Sequence, residues 1–245
     1  MRESELHAEF PVTCWSLILQ AASVPSAATR EALEKLCQEY WPPLYAYLRR
    51  SGHDPHEAKD LVQGYLARLI VREDLETVGP GQGRFRSYLL AGLRNFLISE
   101  VRRENAQKRG GGADVVSIDA EEAESGCGVV LARELTPDQA FDRRWAETIL
   151  LHAIEALRQE YLARGKRELF EALKPSLTGG AAEDRAALGR ALGMTSGAVA
   201  VAVHRLRLRL RELVRLEVAQ TVESSAMIDE EMRELLAILS GSGRA

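Results

Sequence analysis

The chain has 245 residues, of which 46% are apolar and 28% charged, an ordinary globular composition that excludes a wholly disordered protein. No run approaches about eighteen consecutive apolar residues, and the opening MRESELHAEF lacks the basic-then-apolar order of a signal peptide. The expectation is therefore a cytoplasmic protein with no membrane span, while the formal net charge of −4 gives no hint of a polyanionic partner until its distribution is examined.

In chain order the periodicity is helical, and strict strand-type alternation is missing. Residues 29–50 open on Thr29 as a candidate N-cap and place Leu33, Leu36, Tyr40, Leu44, Tyr47 and Leu48 at mostly helical intervals. Pro42 and Pro43 are expected to kink or split this segment. After the turn SGHDP, Asp54 before Pro55 opens a second helix, with Ala58, Leu61, Val62, Tyr65, Leu66 and Leu69 on one side. The glycine-rich VGPGQG at 78–83 reads as a loop, and a third helix at about 85–105 carries Phe85, Leu89, Leu90, Leu93, Leu97 and Val101.

Residues 109–135 hold RGGGAD, an acidic run and SGCG, a composition that suits a flexible linker. Helical periodicity returns at Pro137 and persists to about 174, where KPSLTGG breaks it. Short helices at 183–192 and 195–215 follow, and an amphipathic helix with Ile228, Met232, Leu235, Leu236 and Leu239 closes the chain. The expected fold class is all-α, with two helical domains joined by a flexible acidic linker. The C-terminal helix is expected to bury its apolar stripe in its own domain and not on an unknown regulator.

Little in the sequence points to catalysis or to a cofactor. Cys14, Cys37 and Cys127 are odd in number and far apart, which gives neither a disulfide framework nor a zinc spacing. His53 and His56 in HDPH lack further ligands and read as a polar loop, so no metal is expected. There is no GxSxG, no P-loop and no zincin motif, and GPGQG and RGGG lack the strand-before, helix-after context of a phosphate loop. An enzyme, a cofactor and a small-molecule substrate are not expected.

Charge is segregated. Seven basic residues (Arg84, Arg86, Arg94, Arg102, Arg103, Lys108, Arg109) stand against Glu100 and Glu104 in the first island. A second island has Arg185, Arg190, Arg205, Arg207, Arg209, Arg211 and Arg215 against Glu212 alone. Between them, residues 113–142 carry eight acids and only Arg133. Phosphate binding follows local cationic density, not whole-chain charge, so two separate nucleic-acid contacts or two solvated helix faces both fit.

The second island coincides with DRAALGRALGMTSGAVAVAVHRLRLRLREL, which fits a helix-turn-helix. Gly193 occupies the tight turn, Gly189 is small where the helices cross, and Thr195 is a good N-cap for the second helix. At about 100° per residue, Val199, Ala202, Val203, Leu206, Leu210 and Leu213 form a buried stripe. Ser196, Ala200, His204, Arg207 and Arg211 form an exposed ridge, small at its N-terminal end and cationic further on, suited to a major groove and its phosphates. Trp15, Trp41, Trp145 and Tyr65 read as core or packing residues and not as base-stacking platforms.

LGMTSGAVAVAVHRLRLRLREL resembles the sigma-factor domain that reads the −35 promoter element. DPHEAKDLVQGYLARLI resembles the domain-2 helix that docks on RNA polymerase, and GRFRSYLLAGLRNFLISEVRRENAQKRGGG resembles the following part, which opens and reads the −10 element. WSLILQAA, YWPPLYAYLRRSG, LTPDQAFDRRWA and LFEALKPSLTGG are similar to a subgroup of extracytoplasmic-function sigma factors of the sigma-70 family with many members in planctomycetes. The resemblance covers about residues 12–240.

It implies sigma domain 2 at 12–108, an acidic linker at 109–136, sigma domain 4 at 137–216 and a C-terminal extension at 217–245. It implies polymerase docking by Asp60, Leu61, Gln63, Leu66 and Arg68. The loop around 78–84, with Arg84, Arg86, Tyr88, Arg94 and Asn95, would face the melted −10 strand, and Arg102, Arg103, Lys108 and Arg109 would touch phosphates just upstream. Thr195, Ser196, Gly197, Ala200, His204, Arg205, Arg207 and Arg211 would lie at −35. The implied partners are core RNA polymerase, promoter DNA and an anti-sigma or other regulatory protein, with no membrane partner. Relatives usually carry acidic or basic side chains where Gly64, Ser196 and Ala200 stand here, and each absent bidentate base contact forgoes about 1–3 kcal/mol of discrimination. A helix-turn-helix regulator acting without polymerase is the competing expectation; it leaves the first island and the docking-like helix unexplained.

Overall fold

The computed structural model describes residues 27–71, 83–108, 135–177 and 185–241, in which the elements are helices and the only bridge is an isolated antiparallel one between Arg84 and Val222. They are α1 (Ala27–Arg50), α2 (Pro55–Val71), α3 (Phe85–Lys108), α4 (Pro137–Ala163), α5 (Arg167–Leu173), a 3-10 turn (Lys174–Leu177), α6 (Arg185–Leu192), α7 (Ser196–Thr221) and α8 (Ser225–Leu239). No single helix among the described residues is long and apolar enough to cross a membrane. Trp15, the segment WSLILQAA, the 78–82 loop, and residues 109–134, which include Arg109 and nearly all of the acidic linker, lie outside the described residues.

The described residues fall into two compact units, one within 1–147 and 219–245 and the other within 148–218. This differs from boundaries at 136/137 and 216/217. The first division falls inside α4 and the second inside α7, and the C-terminal helix belongs to the unit of α1–α3. The physical reason is burial: Ala140, Phe141, Trp145, Val222, Ile228, Met232 and Leu235 are all taken out of water in that unit. Periodicity located these apolar stripes but carried no record of which core receives them.

In the first unit, α1 contributes Leu36, Tyr40, Leu44 and Leu48, α2 contributes Ala58, Val62, Tyr65 and Leu69, and α3 contributes Phe85, Leu89, Leu93 and Phe96, all buried. Pro42 and Pro43 do not split α1, which is one helix from Ala27 to Arg50. An interior proline costs a helix about 3 kcal/mol or more. Here Leu36 and Tyr40 before the pair, and Leu44 and Leu48 after it, are buried and hold both halves in register. The Tyr40 ring meets Phe85 edge-on at 5.1 Å, and the buried Tyr65 hydroxyl donates to the Leu89 carbonyl at 2.9 Å. Helix α2 starts where the Asp-Pro pair indicates, because Asp54 Oδ1 accepts the backbone N–H groups of His56 (2.8 Å) and Glu57 (2.9 Å).

In the second unit, Ile149, Ala153 and Leu157 of α4, Phe170 and Leu173 of α5, and Val199, Val203, Leu206 and Leu213 of α7 are buried. The helical run expected from 137 to about 174 is interrupted at Gly165, whose φ is +67°. The Lys166 N–H reaches back to the Tyr161 carbonyl at 2.9 Å, a Schellman closure that a side chain at Gly165 would strain. Arg209 clasps Glu160 at 2.6 Å and ties α7 to α4 inside this unit.

Candidate nucleic-acid interface

The first basic island is not a row of free cations. Arg84 stands at the mouth of α3 and pairs with Glu230 at 2.9 Å, Glu231 at 2.9 Å and Glu234 at 2.5 Å, all from α8. Arg86 pairs with Glu231 at 2.6 Å, Glu234 at 2.5 Å and Asp142 at 2.5 Å, and its guanidinium lies 4.7 Å from the Trp145 ring centroid. Glu231 is wholly buried and Arg86 is only 6% exposed. Burial alone would lower the Arg86 pKa, but Glu231, Asp142 and Glu234 outweigh it and hold the group above its ordinary value. Burial also pushes the Asp142 carboxyl up, against the opposing pull of Arg86. Burial would raise Glu234 as well, but Arg84 and Arg86 bring it below its ordinary value.

In the described conformation Arg84 and Arg86, expected to face the melted strand, are engaged by carboxylates. Arg86 is held between the C-terminal helix and the Asp142 and Trp145 side chains of α4, which leaves little of it exposed. The sequence showed the carboxylates as a run at 229–231 and 234 on an amphipathic helix. It gave no sign that two arginines about 145 residues earlier would receive them.

The remaining residues of this island are more open. Arg94 is exposed, pairs with Asp138, and lies 5.8 Å from the Tyr47 ring. Asn95 and Arg102 are exposed, Arg103 is exposed and pairs with Glu100 at 2.6 Å, and Tyr88 is half-buried against Phe85. A cleft of about 230 Å³ opens between α3 and α4, lined by Arg86, Ser87, Leu90, Arg94, Asp138, Phe141 and Asp142. Lys108 is the last residue of α3.

Helix α2 presents the second feature. At about 100° per residue, Asp60, Leu61, Gly64 and Arg68 share one sector, Gln63 stands at its edge, and Leu66 points the other way. Gln63 and Asp60 are exposed, whereas Leu66 is 6% exposed and belongs to the core, so it is not part of an outward docking surface. Asp60, Leu61, Gly64 and Arg68 line a groove of about 660 Å³ with Glu57, Phe96, Glu100 and Arg103. Gly64 keeps this groove open: a Cβ there would stand 3.2 Å from Phe96 Cζ.

Helices α6 and α7 form the third. They meet at 91° across the turn 193–195. Gly193 has φ +64°, and the Met194 N–H donates to the Gly189 carbonyl at 2.8 Å. A Cβ on Gly189 would come within 2.6 Å of the Met194 carbonyl oxygen, so only glycine fits the crossing. Thr195 Oγ1 accepts the Ala198 N–H at 3.2 Å. Ser196, Gly197, His204, Arg205, Arg207 and Arg211 are exposed and Ala200 is half-buried, while Val199, Val203, Leu206 and Leu213 are buried. Arg207 also donates to the Ser176 carbonyl at 2.7 Å.

No curated protein and no solved structure matches the chain. Residues 36–107, which span α1 from Leu36 through α2 to the last turn of α3, match the family model of Sigma-70 region 2, and this match supports a sigma-70 family sigma factor.

Proposed function

We propose that the protein is a sigma factor of the small, two-domain extracytoplasmic-function type, similar to the planctomycete subgroup, and that it directs core RNA polymerase to promoters without catalysing a reaction itself. The observation that carries this reading is the Sigma-70 region 2 match over 36–107, on helices that expose a groove along α2 and cations along α3. In this reading the groove lined by Asp60, Leu61, Gly64 and Arg68, with Gln63 at its rim, receives the polymerase. Tyr88, Arg94 and Asn95 follow the melted −10 strand, with cations on its backbone and an aromatic ring beside an unstacked base. Arg102, Arg103, Lys108 and Arg109 touch duplex phosphates upstream.

The α6–α7 pair supports a helix-turn-helix reading of the second unit. Its crossing angle, the glycine at the contact and the Thr195 cap are what that motif needs. Ser196, Gly197, Ala200 and His204 would enter the −35 major groove, and Arg205, Arg207 and Arg211 would hold phosphates. No large polar side chain stands at Ser196 or Ala200, so readout at −35 rests more on DNA shape than on base contacts. The mechanism is reversible binding, requires no cofactor, and places the protein in the cytoplasm with polymerase.

The test is to mix the purified chain with bacterial core RNA polymerase, without DNA, and separate the mixture by size. Co-elution as a one-to-one complex is the expected result. A folded, helical protein that elutes alone would overturn the docking role of α2 and favour a regulator that acts without polymerase.

A further inference from the structure

Helix α8 covers the start of α3 with an acidic surface. Glu230, Glu231 and Glu234 lie on one side of it and bring their carboxylates onto both guanidinium groups of the first island. Carboxylate and phosphate present the same paired oxygens to a guanidinium fork, so the same arginine surface fits either. The two arginines face four carboxylates, those three and Asp142. With α8 seated, the local charge is therefore negative where the sequence places a cationic face.

The seat is built. Ile228, Met232 and Leu235 are buried beneath the helix, Arg84 and Val222 bridge through their backbones, and the Gly83 N–H donates to Glu223 at 3.3 Å. Glu230 and Glu234, in contrast, reach the surface, with side chains 55% and 37% exposed. The clasp thus has a wet outer edge, which a polyanion can approach, and a dry inner pair formed by Arg86 and Glu231.

We propose that α8 and single-stranded nucleic acid compete for the Arg84–Arg86 surface, so that the C-terminal helix is a built-in inhibitor of strand capture and leaves when the strand is bound. This rests on the reading of α3 as a nucleic-acid interface. It assigns Arg84 and Arg86 two partners in turn: carboxylates in the free protein and phosphates in the complex.

The experiment uses the full chain and a fluorescein-labelled single-stranded oligodeoxynucleotide, with affinity measured by anisotropy across a salt series. Wild type is compared with Glu230→Gln/Glu234→Gln, which keeps size and helix propensity but removes the outer charges, and with Arg102→Ala/Arg103→Ala. Hydrogen exchange of residues 225–239 is followed with and without oligonucleotide. The expected result is about tenfold tighter binding by the glutamine variant. Its salt dependence should steepen by about 0.7 for each guanidinium released to a phosphate. Exchange in α8 of the wild type should rise when the oligonucleotide binds.

Equal affinities and unchanged α8 protection, with binding still weakened by Arg102→Ala/Arg103→Ala, would overturn the proposal alone and leave α8 as a permanent brace. If neither protein binds, or if Arg102→Ala/Arg103→Ala changes nothing, the interface reading of α3 fails and the competition fails with it.

Discussion

Arg86 and Glu231 meet in a two-pronged ion pair, with Nε–Oε1 at 2.6 Å and Nη2–Oε2 at 3.2 Å, closed over by the C-terminal helix. Removing Arg86 leaves the buried Glu231 with Arg84 as its remaining partner, so the loss is that of hydrogen bonds to a charged group, about 1.5–3 kcal/mol. Arg86→Ala is accordingly expected to lower unfolding stability by about that amount in urea denaturation. Arg94→Ala removes an exposed pair with Asp138 and should cost less than about 1 kcal/mol. Similar losses for the two variants would show that Arg86 is not held as the structure describes.

Gly64 and Phe96 set the width of the α2 groove. A leucine at Gly64 places its Cβ 3.2 Å from Phe96 Cζ and the rest of its side chain in the groove. Gly64→Leu should leave helicity by circular dichroism near wild type, because leucine is the better helix former. Affinity for core polymerase, measured by titration, should fall at least about tenfold, a loss near 1.4 kcal/mol. Undiminished affinity would move the docking surface elsewhere on the unit.

Gly189 and Met194 fix the α6–α7 crossing. Gly189→Ala forces its methyl to within 2.6 Å of a backbone oxygen, which cannot move without opening the turn. The expected cost is about 1–3 kcal/mol, the usual range for overpacking. Binding to duplex promoter DNA should weaken in parallel, while core polymerase binding by the other unit is retained. Calorimetry with a duplex titration checks both.

Asp54 provides the pH-dependent prediction. The Glu57 N–H, the largest influence, and the His56 N–H hold its carboxyl below the ordinary 3.8. A folded-state pKa below the unfolded one adds stability above pH 3.8, and that stability is lost as pH falls through the lowered value. Asp54→Ala should therefore lower Tm at pH 7, and the gap to wild type should close as the pH is taken well below 3.8. A gap that persists undiminished in acid would show that the cap does not act through its charge.

Legibility in the sequence followed the range of the interaction. The helices, the Asp54 start of α2, the Gly193 turn and the α7 stripe through Val199, Val203 and Leu206 depend on neighbours within a few residues, so spacing reveals them. The ridge from Ser196 to Arg211 was legible for the same reason. Spacing also puts Leu66 among the apolar positions of α2, where the core receives it, against the docking role the resemblance implied. Two features were not legible. Gly165 ends α4 early because a single positive φ overrides a periodic apolar pattern that continues beyond it. The arginines at 84 and 86 read as phosphate ligands because their acidic partners lie at the far end of the chain. Sequence spacing has no means of bringing Glu231 back to Arg86.

The most direct test of the central claim is promoter-dependent initiation. Core RNA polymerase is incubated with the chain and a pool of random duplex templates, and run-off transcripts and their start sites are sequenced. Transcripts are expected only when the chain is added, with starts that share upstream elements at two fixed spacings, and Gly64→Leu is expected to abolish them. Transcription that is the same with and without the chain, or starts with no common upstream element, would contradict the claim.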